Sequence, residues 1–137
     1  MVSVDDARLI EFPRIADPRG NLTPLEGAGA EIPFEIARVF YLYDVPGGES
    51  RAGHANRELD EVIIAASGSF DVVIDDGRTK KTWSLRRSYY GLFVPAMLWR
   101  TLENFSSGSV CLAICSTHFN ADAYMRDYDE YARIVTS

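Results

Sequence analysis

His54 is the centre of the most chemically suggestive stretch of the chain. It is one of only two histidines, and Asn56 and Glu61 follow it at short spacing. Histidine changes charge near neutral pH, so it serves either as a general base or as a metal ligand. A nearby glutamate is a second common metal ligand. The spacing predicts a reactive site built around His54.

The glycines on either side of His54 extend this pattern. Residues 48–68 read G-x5-H-x-N-x4-E-x6-G. They resemble the first cupin motif, G-x5-H-x-H-x3-4-E-x6-G, except that Asn56 stands at the second histidine. Residues 95–104 are similar, more weakly, to the end of the second cupin motif, and there Arg100 replaces the metal-binding histidine. The resemblance implies a small β-barrel with its site in the mouth.

These replacements determine which metal chemistry is expected. A typical cupin metal site takes three histidines and one glutamate, and this chain keeps only His54 and Glu61 at those positions. Arg100 cannot be a ligand, because a guanidinium stays protonated and repels a cation. We therefore predict a site without metal, in which a free imidazole faces a guanidinium that stabilises an anion. A metal-dependent cupin is the competing interpretation.

Short β-like runs separated by turns must position these residues. His54 falls between two of them. The turns recur at the cadence of a β-sandwich or small barrel, and Asp75-Asp76-Gly77 predicts a hairpin because Asp-Gly accepts positive φ. Strands are predicted at 38–45, 61–66, 70–74, 79–85, 90–94 and 110–116.

Only the end of the chain has a helical pattern. A helix is predicted from Asn120, a suitable N-cap, to Ile134. Tyr124, Tyr128 and Tyr131 would share one face of it, and we interpret them as core rather than as site residues.

Composition indicates one ordinary globular domain over residues 1–137. Hydrophobic residues make up 47% and charged residues 25%, as in folded domains generally. The net charge is -6, which argues against a nucleic-acid partner, because binding phosphate backbones needs a basic surface. No apolar stretch reaches membrane-spanning length and no leader pattern is present, so the expected location is cytoplasmic.

Most of the chain also resembles the nucleotide-sugar 3,4-ketoisomerases, cupin-type enzymes that act on TDP-4-keto-6-deoxyglucose. The similarity extends from about residue 9 to residue 131. The segments that carry it are D-P-R-G-N-L at 17–22, I-P-F-E-I-A-R-V-F-Y at 32–41, R-A-G-H-A-N-R at 51–57, and Y-M-R-D-Y-D-E-Y at 124–131.

This resemblance implies an all-β cupin double-stranded β-helix with one C-terminal helix. It also implies a homodimer that exchanges N-terminal strands, no cofactor, and a TDP-linked ketosugar as the bound partner. The family's catalytic base matches His54. The predicted catalytic residues are His54 and Asn56, and the predicted substrate-binding residues are Arg51, Arg100, Tyr41 and Glu103.

The reaction moves a carbonyl from C4 to C3 of the hexose. A base removes the acidic C3 proton, donors stabilise the enediolate, and a proton returns to C4. A second proton passes between the two oxygens, which the family's second histidine is suited to relay. Asn56 cannot titrate near pH 7, so either a water or a tyrosine takes over the relay, or the chain is a catalytically altered or inactive nucleotide-sugar binding homologue.

Overall fold

The fold is a sandwich of two five-stranded β-sheets, and a short C-terminal helix packs against one of them. A computed structural model describes residues 1–137 of the chain. Its elements are β1 (Arg8–Glu11), β2 (Ile15–Asp17), β3 (Gly20–Leu22), β4 (Arg38–Tyr43), β5 (Arg51–Asn56), β6 (Glu61–Ser67), β7 (Phe70–Asp75), β8 (Lys80–Leu85), β9 (Tyr90–Val94), β10 (Trp99–Glu103), β11 (Val110–Cys115), β12 (Tyr124–Met125) and α1 (Tyr128–Thr136).

The sheet order is that of a cupin double-stranded β-helix. One five-stranded sheet runs β1-β9-β6-β11-β4 and the other β12-β5-β10-β7-β8, and every pairing is antiparallel. Buried residues from both sheets pack into one core, such as Ile63 and Leu92 of the first sheet against Val72 and Leu102 of the second. The predicted fold class, all-β with one C-terminal helix, is confirmed.

The six predicted strands are all present, with ends that agree to within two residues. The hairpin between β7 and β8 turns at Gly77, which has a φ of +90°. Gly68, the last glycine of the first motif, has a φ of +68°, and a Cβ there would lie 2.9 Å from the Cα of Ser109. That motif glycine is therefore required by the backbone at the end of β6.

His54 lies in a strand, although the sequence analysis places it between two predicted strands. Residues 51–56 form β5, which pairs with β10 and places His54 opposite Arg100. The segment lacks β-branched residues, and Ala52 and Gly53 both have positive φ, at +66° and +70°. Long-range pairing, rather than local propensity, makes this segment a strand.

The predicted helix over 120–134 is wrong in its first part. Asn120 caps a one-turn 3-10 helix, accepting a hydrogen bond from the amide of Asp122. The chain then pairs with β5 as β12, and α1 begins only at Tyr128, after Asp127 as N-cap. No helix in the structure has the length and apolar character needed to span a membrane.

Candidate active site

A cavity of about 340 Å³ opens between the two sheets at one end of the barrel. Alternate residues of β4, β5, β6, β10 and β11 form its walls, because side chains on a strand point to opposite faces in turn. The segment around β12 contributes the remaining lining residues at the mouth: Phe119, Tyr124 and Arg126. The lining residues are Arg38, Phe40, Leu42, Arg51, Ala52, His54, Glu61, Ile63, Arg100, Leu102, Cys111, Ala113, Phe119, Tyr124 and Arg126.

His54 projects from β5 into this cavity. Its Nδ1 atom is buried without a hydrogen-bond partner, and its ring meets the Tyr124 ring edge-on at 4.8 Å. Burial, together with the positive charges of Arg100 and Arg126, lowers the pKa of His54 from 6.5 to about 4. The imidazole is therefore neutral at neutral pH, which is the protonation state a general base requires.

Arg100 and Glu61 form a buried ion pair at the cavity wall. The Nη1 atom of Arg100 donates to Oε1 of Glu61 at 2.9 Å, and Nη2 donates to the carbonyl of Leu98 at 3.0 Å. Burial and the charge of Glu61 raise the pKa of Cys115 to about 12. The Cys115 thiol therefore stays protonated and points its sulfur at Oε2 of Glu61, 3.8 Å away.

Three further arginines gather near the cavity mouth. The Arg126 guanidinium carbon lies over the Tyr124 ring, 4.8 Å from its centroid.

 The Arg38 guanidinium carbon is 4.7 Å from the Phe40 ring centroid and 5.2 Å from that of Phe119. Arg51 stands exposed at the rim. Guanidinium groups bind phosphate and carboxylate oxygens well, so this mouth suits an anionic ligand.

The buried polar atoms that lack a partner all belong to this cavity. They are Nδ1 of His54, Nη1 of Arg38 and Nε of Arg100. Buried polar atoms are normally hydrogen-bonded, and an unpartnered one in a native fold calls for an explanation. Their concentration at one place indicates a cavity built to hold a polar ligand.

Asn56 is not among the residues that line the cavity, although it lies two residues after His54 on β5 and pairs with Tyr124. It is buried, with 2% of its surface exposed, and its Oδ1 atom accepts hydrogen bonds from the amides of Glu58 and Leu59, both at 2.9 Å. The side chain therefore closes the turn between β5 and β6, as asparagine often does. The turn that Asn56 closes leads to Glu61 at the start of β6, and the catalytic role of Asn56 stays a prediction.

Two predicted substrate-binding residues are also not part of this cavity. Tyr41 alternates with Phe40 and Leu42 on β4, so it points outward and is 61% exposed. Glu103, at the end of β10, is exposed and follows the cavity-lining Leu102, so it faces the other way. The strand period of two residues accounts for both corrections. Arg51 and Arg100, by contrast, line the cavity, and their substrate-binding roles stay predictions.

Among the cavity residues that the sequence analysis does not identify are Arg38, Tyr124 and Arg126. Arg38 shares the alternating face of Phe40 and Leu42, so strand parity could have found it. Tyr124 and Arg126 were interpreted within a helix. Their place at the cavity depends on the pairing of β12 with β5, for which the local sequence has no indication.

The fold and the site together define a cupin-type acid-base enzyme for an anionic substrate. The chain belongs to the family described as "WxcM-like, C-terminal" (FdtA), whose model matches residues 5–136.

Relatives of known structure or activity agree with this family. The chain is 34% identical over 128 residues to the TDP-4-oxo-6-deoxy-alpha-D-glucose-3,4-oxoisomerase of Aneurinibacillus thermoaerophilus, covering 93% of this chain and 91% of the relative. It is 41% identical to a 3,4-ketoisomerase from Helicobacter canadensis, with a TM-score of 0.93 and coverage of 96% and 98%.

A third relative is known with a bound ligand. This is a mutant form of the QdtA 3,4-ketoisomerase from Thermoanaerobacterium thermosaccharolyticum in complex with TDP-4-keto-6-deoxyglucose. The chain is 31% identical to it, with a TM-score of 0.94 and coverage of 98% of this chain and 96% of that one.

Proposed function

We propose that this protein is a sugar 3,4-ketoisomerase that moves the carbonyl of TDP-4-keto-6-deoxyglucose from C4 to C3. The observation that carries the proposal is the neutral histidine His54 in an arginine-lined cavity, where three buried polar atoms lack partners. The relatives support the substrate: one is named for its action on this sugar, and another binds it.

The arginines near the cavity mouth account for binding of the nucleotide. A TDP-sugar carries a negatively charged diphosphate, and Arg38, Arg51 and Arg126 present guanidinium groups there. Such groups form paired, charge-assisted hydrogen bonds with phosphate oxygens. The diphosphate at the mouth would leave the hexose to occupy the interior beside His54.

The interior supplies the acid-base chemistry. His54 accepts the C3 proton, which is acidic because C3 is next to the C4 ketone. The electrons of that bond form a C3–C4 double bond, and the C4 oxygen takes up negative charge. Arg100 lies opposite His54 in the paired strands, and its unpartnered Nε can donate to the developing oxyanion. His54 then delivers a proton to C4.

Proton NMR of TDP-4-keto-6-deoxyglucose in deuterium oxide tests this function. With the natural protein we expect exchange at C3 and a new 3-keto product. The His54→Asn variant, which lacks the base, should lose roughly 100-fold or more in both signals. A natural protein that catalyses neither exchange nor isomerisation would overturn the proposal.

The alternative is a homologue that binds nucleotide sugar without turnover, and the presence of Asn56 at the second motif position favours it. Asn56→His distinguishes the two. Under the proposed function we expect no gain of activity. Asn56 accepts hydrogen bonds from two amides of the following turn, and a histidine side chain that faced the substrate would leave both amides without that partner. Turnover that appears only in Asn56→His, with TDP raising the Tm of the natural protein, would identify a silenced homologue.

We also propose that the protein is a homodimer. The outer face of β4 exposes Val39, Tyr41 and Tyr43, and the β2–β3 hairpin exposes Ile15 and Leu22. Contiguous exposed apolar side chains on a folded domain mark an association surface. The exchange of N-terminal strands stays a prediction: in this structure β1 pairs with β9 of its own chain.

A further inference from the structure

Tyr124 stands beside His54 at the cavity mouth. It lies on β12, in register with Asn56 of β5, and its ring centroid is 4.8 Å from that of His54. It lines the same cavity as His54 and Arg100. The cavity therefore brings a tyrosine next to the base, a combination that the linear spacing around His54 does not contain.

Tyr131, on α1, has a structural role that distinguishes it from Tyr124. The Tyr131 hydroxyl donates toward the carbonyls of Met97 and Asp75, at 2.7 and 3.0 Å, and accepts from the Trp99 amide. Tyr124 instead makes its contacts through its ring, with His54, Phe119 and Arg126. Those contacts hold the ring in place and leave the hydroxyl for a ligand.

The isomerisation needs a proton carrier besides His54. Moving the carbonyl from C4 to C3 transfers one proton from C3 to C4 and another from the C3 oxygen to the C4 oxygen. The second transfer requires a group that both donates and accepts. Asn56 has its oxygen occupied by two amides, and an amide does not titrate near neutral pH.

The remaining polar groups of the cavity fail the same requirement. The four arginines only donate. Glu61 is committed to Arg100, and burial raises the pKa of the Cys111 thiol far above neutral pH. Tyr124 supplies the one hydroxyl among the lining side chains.

We propose that Tyr124 is the catalytic proton relay between the two sugar oxygens, an inference that rests on the proposed function. As His54 removes the C3 proton, the Tyr124 hydroxyl gives its proton to the C4 oxygen, and the enediol forms. The resulting phenolate then takes the proton from the C3 oxygen. The C3 carbonyl forms, and the electrons of the double bond accept the proton that His54 returns to C4. Both side chains end in their starting states.

The Tyr124→Phe variant tests the relay, with Tyr89→Phe as the matched control outside the cavity. We expect 3-keto product formation to fall roughly 100-fold or more in Tyr124→Phe. Deuterium exchange at C3 should fall less, because His54 is intact and Arg100 can stabilise the enediolate. Tyr89→Phe should match the natural protein in both signals.

Several outcomes would overturn the relay. One is product formation in Tyr124→Phe equal to that in Tyr89→Phe. Another is an equal loss of exchange and product in a variant that TDP still stabilises. An inactive natural protein would instead overturn the proposed function itself, so the two failures are distinguishable.

If the Tyr124→Phe variant does not fold, a second measurement still tests the relay. Replacing Tyr124 by a difluorotyrosine keeps the ring and makes the hydroxyl more acidic. We expect the pH profile of product formation to shift, while that of C3 exchange by His54 stays in place. A profile identical to that of the natural protein would also overturn the relay.

Discussion

At the scale of single residues, the surroundings of His54 set the protonation state of its imidazole. Burial and the charges of Arg100 and Arg126 lower its pKa to about 4, so the free protein holds a neutral imidazole. A bound diphosphate would cancel part of that positive field. The pKa of His54 would then rise, which strengthens the base at the moment when substrate is present.

This coupling can be measured by NMR titration of the histidine C2 proton, with the His54 signal assigned by its loss in His54→Asn. We expect a midpoint near pH 4 in the free protein, because the positive neighbours favour the neutral form down to that pH. Adding TDP should move the midpoint upward. A free-protein midpoint near 6.5, the unperturbed value, would contradict the described environment of His54.

At the scale of elements, the ion pair between Glu61 and Arg100 joins the two sheets. Glu61 begins β6 of one sheet, and Arg100 lies on β10 of the other. Both side chains are nearly fully buried, at 8% and 1% exposed. Removing one partner of such a pair leaves a charge in a poorly solvated place, which costs more than the pair itself contributes.

We therefore expect Glu61→Gln to lower the free energy of unfolding by about 3 kcal/mol, measured by urea denaturation. Glu103→Gln is the matched control, because Glu103 is an exposed glutamate at the end of the same β10. Its effect should stay within about 0.5 kcal/mol, as for surface changes in general. Equal effects of the two substitutions would show that the buried pair does not hold the sheets together.

At the scale of the whole molecule, the exposed apolar face of β4 has no cover within the chain. β4 is the last strand of its sheet, and its outward-facing Tyr41 and Tyr43 contact each other with ring centroids 5.6 Å apart. A covered face would protect both the apolar side chains and the free edge of the strand. A second copy of the chain is the occupant proposed here.

Light scattering coupled to size-exclusion chromatography tests this assembly. We expect the mass of a dimer for the natural protein and a shift toward the monomer for Tyr41→Glu, because a charge would be buried in the contact. Thr82→Glu places the same charge on the exposed β8 and should leave the mass unchanged. A natural protein that is monomeric would contradict the proposed dimer.

Much of this protein was determined by the sequence alone. The alternating β4 segment and the Asp-Gly hairpin follow from local sequence, so a β-sandwich or small barrel was predictable. The motif that ends at Gly68 added the resemblance to cupins. The motif spacing likewise predicted a reactive site around His54, which lines the cavity. Those features depend on side-chain period and on backbone conformation, which neighbouring residues set by themselves.

Only the tertiary structure decided how the site is completed. Asn56 was predicted as a catalytic residue, and the structure shows that its Oδ1 atom accepts hydrogen bonds from two amides of the following turn. Tyr124 and Arg126 were expected on a helix, yet strand pairing with β5 brings them to the cavity from about seventy residues away in the chain. Such contacts arise from packing and register between distant segments, and the local sequence pattern does not encode them.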